Sequence, residues 1–326
     1  MMRRSLALLL FAIGCSPAPT VPIGSKPPQN APEYTVGGFS AELPPLTLQP
    51  GDELLPCWIL PLELQGPSHV VGGGRLTVGA GMHHGNLTAR KATGVGVRQC
   101  SDQDQSDAQQ ALDILNGGAV LFGSSTQIQG EEWESFPSGE GYRISDGMEI
   151  VARMHYLNAS TSAVTVQPKY DWYTIDETKL VHELGPFAWD DQDIDVPAGA
   201  DVTITANCAI EAPMHIVLVL PHMHKLGYAF DAGYLGGPLD GKPWLTSPGY
   251  DPSSGVLQMY DPPVDLTQAT GAWMSCSWRN TLDHAITYGV GDNEMCILFG
   301  YAWPKEAATS ALIKNGSCVT FADTTN

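Results

Sequence analysis

The sequence predicts an all-β protein, arranged as two consecutive jelly-roll or β-sandwich domains. Three observations carry that reading. There are 35 glycines and 25 prolines among 326 residues, so turns are frequent and helices have little room. Charged residues are only 16% of the chain, too few for many long amphipathic helices. From about Glu33 onward the apolar runs are short and are cut by Gly and Pro, the pattern of strands joined by turns.

Taken in order, the first strand-like runs are Trp58 to Leu64, Arg75 to Val78, Ala119 to Phe122, Glu149 to His155 and Ala163 to Val166. Val202 to Ala206, His215 to Leu220, Ile286 to Val290 and Met295 to Tyr301 follow. The one helix-like piece is Asp107 to Asn116, with Ala111, Leu112 and Leu115 on one side. Parallel α/β folds need helices between their strands, and these are missing. Asn158 to His182 is the expected crossing between halves, giving a first domain over 33–180 and a second over 181–326. Each holds about 140 residues, a normal sandwich size. With 43% hydrophobic residues, both can bury a core.

The N-terminus speaks to compartment. Arg3 and Arg4, an apolar run from Leu6 to Ile13 and then Gly14-Cys15 have the order of a secretory signal, and the run is too short to span a bilayer. Ala12-Ile13-Gly14-Cys15 resembles a bacterial lipobox over residues 1–15, with Cys15 as the lipidated residue. Ser16 after it suggests the outer membrane. Residues 16–32, rich in Pro, Ser and Ala, read as a flexible tether. The expectation is an exported protein that meets the membrane only through its lipid.

Lys plus Arg number 16 against 35 Asp plus Glu, a net charge of -19. No basic surface is available for phosphates, so a nucleic-acid partner is not expected. There is no GxGxxG, GxSxG, Walker A or CxxC motif, which leaves nucleotide, hydrolase-elbow and thioredoxin readings without an anchor. Beyond Cys15, six cysteines remain: Cys57, Cys100, Cys208, Cys276, Cys296 and Cys318. Three disulfides are expected in an oxidising compartment, and fifteen pairings stay open.

The chemistry lies in histidine and methionine. Five of the nine histidines fall in three tight contexts: Met82-His83-His84-Gly85, Met154-His155-Tyr156 and Pro221-His222-Met223-His224. Residues i and i+2 of a strand face the same way, so His222 and His224 can chelate one metal. His83 and His84 would point to opposite faces of a regular strand. Their joint ligation needs a bend or loop, which Gly79, Gly81 and Gly85 can supply. Zinc suits such imidazoles, and copper is favoured where a thioether joins them.

This constellation resembles the copper type II, ascorbate-dependent monooxygenases, the family of peptidylglycine alpha-hydroxylating monooxygenase and dopamine beta-monooxygenase. The resemblance runs from about Glu33 to Phe321. It rests on the pair His83-His84, on Met154-His155-Tyr156-Leu157-Asn158, on His222-Met223-His224-Lys225-Leu226-Gly227, and on Glu294-Met295-Cys296. It implies two copper ions per chain: His83, His84 and His155 would hold an electron-transfer copper, and His222, His224 and Met295 the copper that activates oxygen. It further implies the pairings Cys57 with Cys100, Cys276 with Cys296, and Cys208 with Cys318. The implied reaction hydroxylates an aliphatic C–H of a small-molecule substrate with dioxygen, using ascorbate or another one-electron reductant.

The match departs from the peptide-amidating members where they hold a substrate carboxylate: Leu220, Ile297 and Phe299 make those places apolar. A small aromatic or aliphatic substrate is expected instead. His215 resembles the dopamine-type members, beside the plainer reading of a hydrogen-bonded core histidine. His69, His182 and His284 are expected at the surface or satisfied in the core, Trp189, Trp273 and Trp278 in sandwich cores or edges, and Asp190-Asp191-Gln192-Asp193 in a solvated loop. Two other classes compete: a non-enzymatic copper-binding surface lipoprotein, and a sandwich adhesion module with incidental histidines.

Overall fold

The computed structural model describes residues 31–320 except 107–108, 111–112, 114–116, 126–127, 251–255 and 290. The signal sequence, Cys15 and all but the last two residues of the tether lie outside the described residues, as does much of the helix-like piece, of which Gln109, Gln110 and Asp113 are helical. The protein is all-β, with sheets of β-sandwich and jelly-roll character. Apart from that fragment, the helical structure among the described residues is one short 3-10 turn, Glu177–Lys179. Among the described residues no helix is long and apolar enough to cross a membrane.

The first half is two six-stranded sheets. One runs Thr35–Glu42, Lys169–Ile175, Val70–Val78, Glu140–Arg143 and His182–Glu183, with Gly130–Ser135 also paired to Val70–Val78. The other runs Arg98–Gln99, Cys57–Pro61, Met148–Leu157, Met82–Lys91 and Ala119–Gly123, with Glu53–Leu54 also paired to Met148–Leu157. Along Lys169–Ile175, Tyr170 and Trp172 are buried while Asp171 and Tyr173 are half-buried, the two-residue period of a strand with one face on the core. Trp172 stacks on Phe39 with ring centroids 4.7 Å apart. Its indole N–H donates to Leu121 O at 2.8 Å, tying the first sheet to the second and satisfying a buried polar atom.

The second half hydrogen-bonds ten strands in one continuous order: Pro243–Ser247, Gly227–Leu235, Gly271–Arg279, Asp201–Ala209, Ser317–Thr320, Ala311–Lys314, Gly185–Asp191, Ile297–Trp303, His215–His222 and Gln258–Asp265. Residues from both ends of that order share one core, including Phe230, Trp244 and Trp278 from one end and Phe187, Trp189, Val219 and Leu298 from the other. The order therefore closes over itself as a sandwich. Disulfides Cys57–Cys100, Cys208–Cys318 and Cys276–Cys296 join residues 43, 110 and 20 positions apart. Each restricts the unfolded chain, a contribution of about 2–4 kcal/mol. They are consistent with an exported, extracellular protein.

The last strand with the first half's antiparallel pairing ends at Ile175 and the first strand of the ten-strand order begins at Gly185, at the late end of the Asn158 to His182 stretch. Val164–Val166 and Lys169–Ile175 still pair with first-half strands, and His182–Glu183 pairs in parallel with Glu140–Arg143. The halves then meet through apolar and polar contacts. Val217, Leu218 and Tyr301 enter the first core, and Val256 N donates to Ser125 Oγ at 3.0 Å.

Candidate metal centre

His83 and His84 lie inside the strand Met82–Lys91, where a loop or bend was expected. The pairing with Met148–Leu157 supplies what the adjacent pair needs. His155 faces His84, but Tyr156 faces Met82, so His83 is the extra residue of a β-bulge. A bulge re-aims side chains that would otherwise alternate, and it brings the rings of His83 and His155 to 4.5 Å between centroids and those of His84 and His155 to 5.0 Å. Gly85 follows because the space is taken: a Cβ there would lie 2.4 Å from Met154 Cε and 2.7 Å from its Sδ. The Gly85 backbone is held by buried Ser124, whose Oγ accepts from Gly85 N at 2.8 Å.

His222 ends the strand His215–His222, with Ile297 as its partner across the ladder. The next turn is clamped by Glu294, which is fully buried. Its carboxylate accepts from His224 N at 2.8 Å, Leu226 N at 2.7 Å and Trp278 Nε1 at 3.1 Å. Burial raises the Glu294 carboxyl above the usual range, opposed by these donors. Met295, half-buried, stands between Glu294 and disulfide-bonded Cys296, two residues before the partner of His222. At Gly227 a Cβ would lie 2.6 Å from Met223 Cε, so the tight turn after the histidines needs glycine for the same reason as Gly85.

The two sets converge across the halves. His84 and His222 meet edge to face with centroids 5.0 Å apart, and His222 and His224 are 5.2 Å apart. Potential ligand atoms lie within 4.8 Å of one another in His83, His84 and His155, and again in His84, His222 and His224. His84 belongs to both groups. Burial and the neighbouring histidines push the imidazoles of His83 and His222 down to about 3 and that of His84 well below its ordinary value, so at neutral pH all three carry free lone pairs.

The hydrogen bonds assign further nitrogens. His155 Nε2 lies 2.7 Å from Glu53 Oε1; with Nε2–H donating to that oxygen, Nδ1 is the free atom. That Nδ1 sits 3.3 Å from His84 Nε2. His224 Nδ1 donates to Asn293 O at 2.9 Å, leaving Nε2 free. His83 Nδ1 is buried with no hydrogen-bond partner, an atom whose desolvation a cation would offset. This donor chemistry fits a first-row metal held by imidazoles.

Other sequence candidates lie elsewhere. His215 begins the strand that His222 ends, roughly 23 Å away at about 3.3 Å per residue. It stacks on Trp303 with centroids 3.7 Å apart, and His182 stacks on the same ring at 3.8 Å. His69 bonds Asp146 at 3.0 Å and His284 bonds Asp283 at 3.0 Å, both at the surface. Trp189 and Trp278 are core residues and Trp273 is half-buried. The acidic run is not simply solvated: Asp191 is buried and its Oδ1 accepts from Asp193 N at 3.0 Å. Leu220 and Ile297 are buried, and the Phe299 ring lies 6.4 Å from that of His222.

Sequence reasoning missed Glu53 and Asn293. Neither sits in a histidine motif, and Glu53 is 102 residues from the ring that it touches. Only Asn293 had a nearby signal, the Glu294-Met295-Cys296 segment that follows it.

No family model matches the chain, and no curated protein matches it. Among solved structures, the chain is similar to naturally occurring empty particles of cowpea mosaic virus, at 11% identity and a TM-score of 0.32 over 86% of this chain and 93% of that one. It is also similar to PNGase F, a glycosylasparaginase from Flavobacterium meningosepticum, at 8% identity and a TM-score of 0.31 over 87% and 96%. A third is infectious bursal disease virus, Gx strain, at 12% identity and 0.19 over 84% and 72%. Likeness at these levels carries no inference about activity.

Proposed function

We propose that this chain is a copper-dependent monooxygenase that hydroxylates an aliphatic C–H of a small organic molecule. The observation that carries the proposal is the convergence of His83, His84, His155, His222 and His224, with His83, His84 and His222 neutral by burial. Five imidazoles with free nitrogens, joined in this reading by the thioether of Met295, would make a donor set that tolerates both Cu(II) and Cu(I). Bound copper would supply oxygen activation, with electrons drawn singly from ascorbate or another one-electron reductant.

The chain's own share is to hold, orient and exclude. His83, His84 and His155 would hold one ion, and His222, His224 and Met295 the other. Leu220, Ile297 and Phe299 give the surroundings of His222 an apolar character that suits an aliphatic or aromatic substrate and disfavours a carboxylate. The three disulfides fit export, and we place the mature protein on a lipid anchor at Cys15, in the bacterial outer membrane or at the cell surface.

A second reading has its own observation. Because His84 falls in both triads, one shared ion would satisfy the cluster, as in a copper-binding lipoprotein without turnover. Metal analysis and X-ray absorption on the Cu(I)-loaded protein, followed by ascorbate-dependent oxygen uptake in a substrate screen, separate the two. Two coppers with one sulfur scatterer and product formation support the monooxygenase. One copper without turnover supports the binding protein, and no tight copper at all overturns both.

A further inference from the structure

We infer that Glu53 is a positioning residue that fixes the tautomer of His155 and biases the first metal centre toward Cu(II). The inference rests on the proposal that His83, His84 and His155 hold copper, and it adds a residue outside every histidine motif. Glu53 Oε1 accepts from His155 Nε2–H at 2.7 Å while His155 Nδ1 points to His84 Nε2 at 3.3 Å. The carboxylate therefore occupies the one ring nitrogen that faces away from the cluster and leaves the other for the ion.

Glu53 is half exposed, with 52% of its side chain accessible, but its backbone is not free to wander. Glu53–Leu54 pairs with the end of the His155 strand, Leu54 opposite Tyr156 and Glu53 opposite Leu157. The preceding turn is closed by Gly51 N donating to Asn158 O at 2.8 Å and Asn158 N donating to Asp52 O at 2.9 Å. Asn158 is itself buried, and its amide donates to Leu48 O at 3.1 Å and Ser162 O at 2.8 Å. These bonds hold the Glu53 backbone beside the strand that carries His155. A carboxylate behind a ligating imidazole makes the ligand more basic and adds negative charge beside the metal, both of which stabilise the divalent state more than the monovalent one.

The test uses the full chain loaded with copper, comparing the unaltered protein with Glu53→Gln and Glu53→Asp. Gln keeps the shape and an acceptor oxygen but removes the charge. Outer-shell partners are worth about 10–100-fold in metal affinity, and the exposure of Glu53 argues for the lower end. Glu53→Gln is expected to lower Cu(II) affinity at this site about tenfold with Cu(I) affinity unchanged, which raises the midpoint potential by about 59 mV for one electron. The Cu(II) EPR hyperfine coupling of that site changes with it, and Glu53→Asp recovers part of the shift. A potential and Cu(II) affinity within twofold of the unaltered protein overturn the inference, even if thermal stability falls. Failure of the unaltered protein to bind copper through His83, His84 and His155 instead overturns the metal assignment itself, and is read before any variant is made.

Discussion

The imidazole of His84, from the first half, stands edge to face with that of His222, from the second, at 5.0 Å between centroids. His84 is thereby a member of both histidine triads, and the two halves share their candidate metal chemistry through one ring.

His84→Ala is therefore expected to weaken copper at both triads, while His83→Ala removes a donor from one and leaves His84, His222 and His224 intact. Losing a ligand is expected to exceed the 10–100-fold affinity loss typical of outer-shell partners. Copper content after dialysis against a competing chelator reads the difference. Equal residual copper in the two variants would sink the idea of a shared ligand.

Met295→Ala is expected to keep copper at His83, His84 and His155 and to abolish ascorbate-dependent turnover, with loss of the sulfur contribution in X-ray absorption. A thioether favours Cu(I), the state in which bound copper would meet dioxygen under the proposed function. Unchanged product formation would remove Met295 from the mechanism.

Much of the fold is legible in the sequence. Short runs cut by Gly and Pro place Cys57–Pro61, Ala119–Gly123, Met148–Leu157 and His215–His222 within a few residues of their observed bounds, because apolar side chains at the strand period must find a core. Met82–Lys91 was obscured, since Gly81, Gly85 and two polar rings look like a loop, and a bulge leaves no mark in composition. The histidine motifs were visible as local spacing. The closeness of His84 to His222 was not, because it depends on how one half packs on the other through Leu218, Tyr301 and Ser125. Glu53 was invisible for the same reason: strand pairing brings it to His155 across the chain.

Glu294→Gln is expected to destabilise the fold by about 1.5–3 kcal/mol, the scale for hydrogen bonds to a charged group. The carboxylate of Glu294 takes three N–H donors, whereas an amide turns its own N–H₂ toward at least one of them. His224 loses its backbone tether in the same step, so copper at His222 and His224 should loosen along with the fold. Denaturant titration together with copper affinity measures both, and a variant as stable as the parent would show that the clamp is not needed.

Stability should also fall as pH rises from about 4.3 to about 7, because of Glu132. This residue is buried on the strand Gly130–Ser135, and its Oε2 accepts from Ser125 N at 2.9 Å. Burial pushes its carboxyl up to about 7, opposed by the bonds from Ser125. Glu134, two residues on and also buried, is raised well above the ordinary range by burial. An unfolded glutamate titrates near 4.3, so between roughly pH 4.3 and 7 the folded state binds more protons than the unfolded one. The stabilising contribution is complete below the unfolded value and is lost as pH climbs through the folded one, to a total on the order of 3 kcal/mol for Glu132. Glu132→Gln keeps an acceptor for Ser125 N and cannot ionise. It should be more stable than the parent at pH 8 and close to it at pH 4, by denaturant unfolding at both values. A difference that does not change with pH would mean that Glu132 stays ionised inside the fold, held by the Ser125 contacts alone.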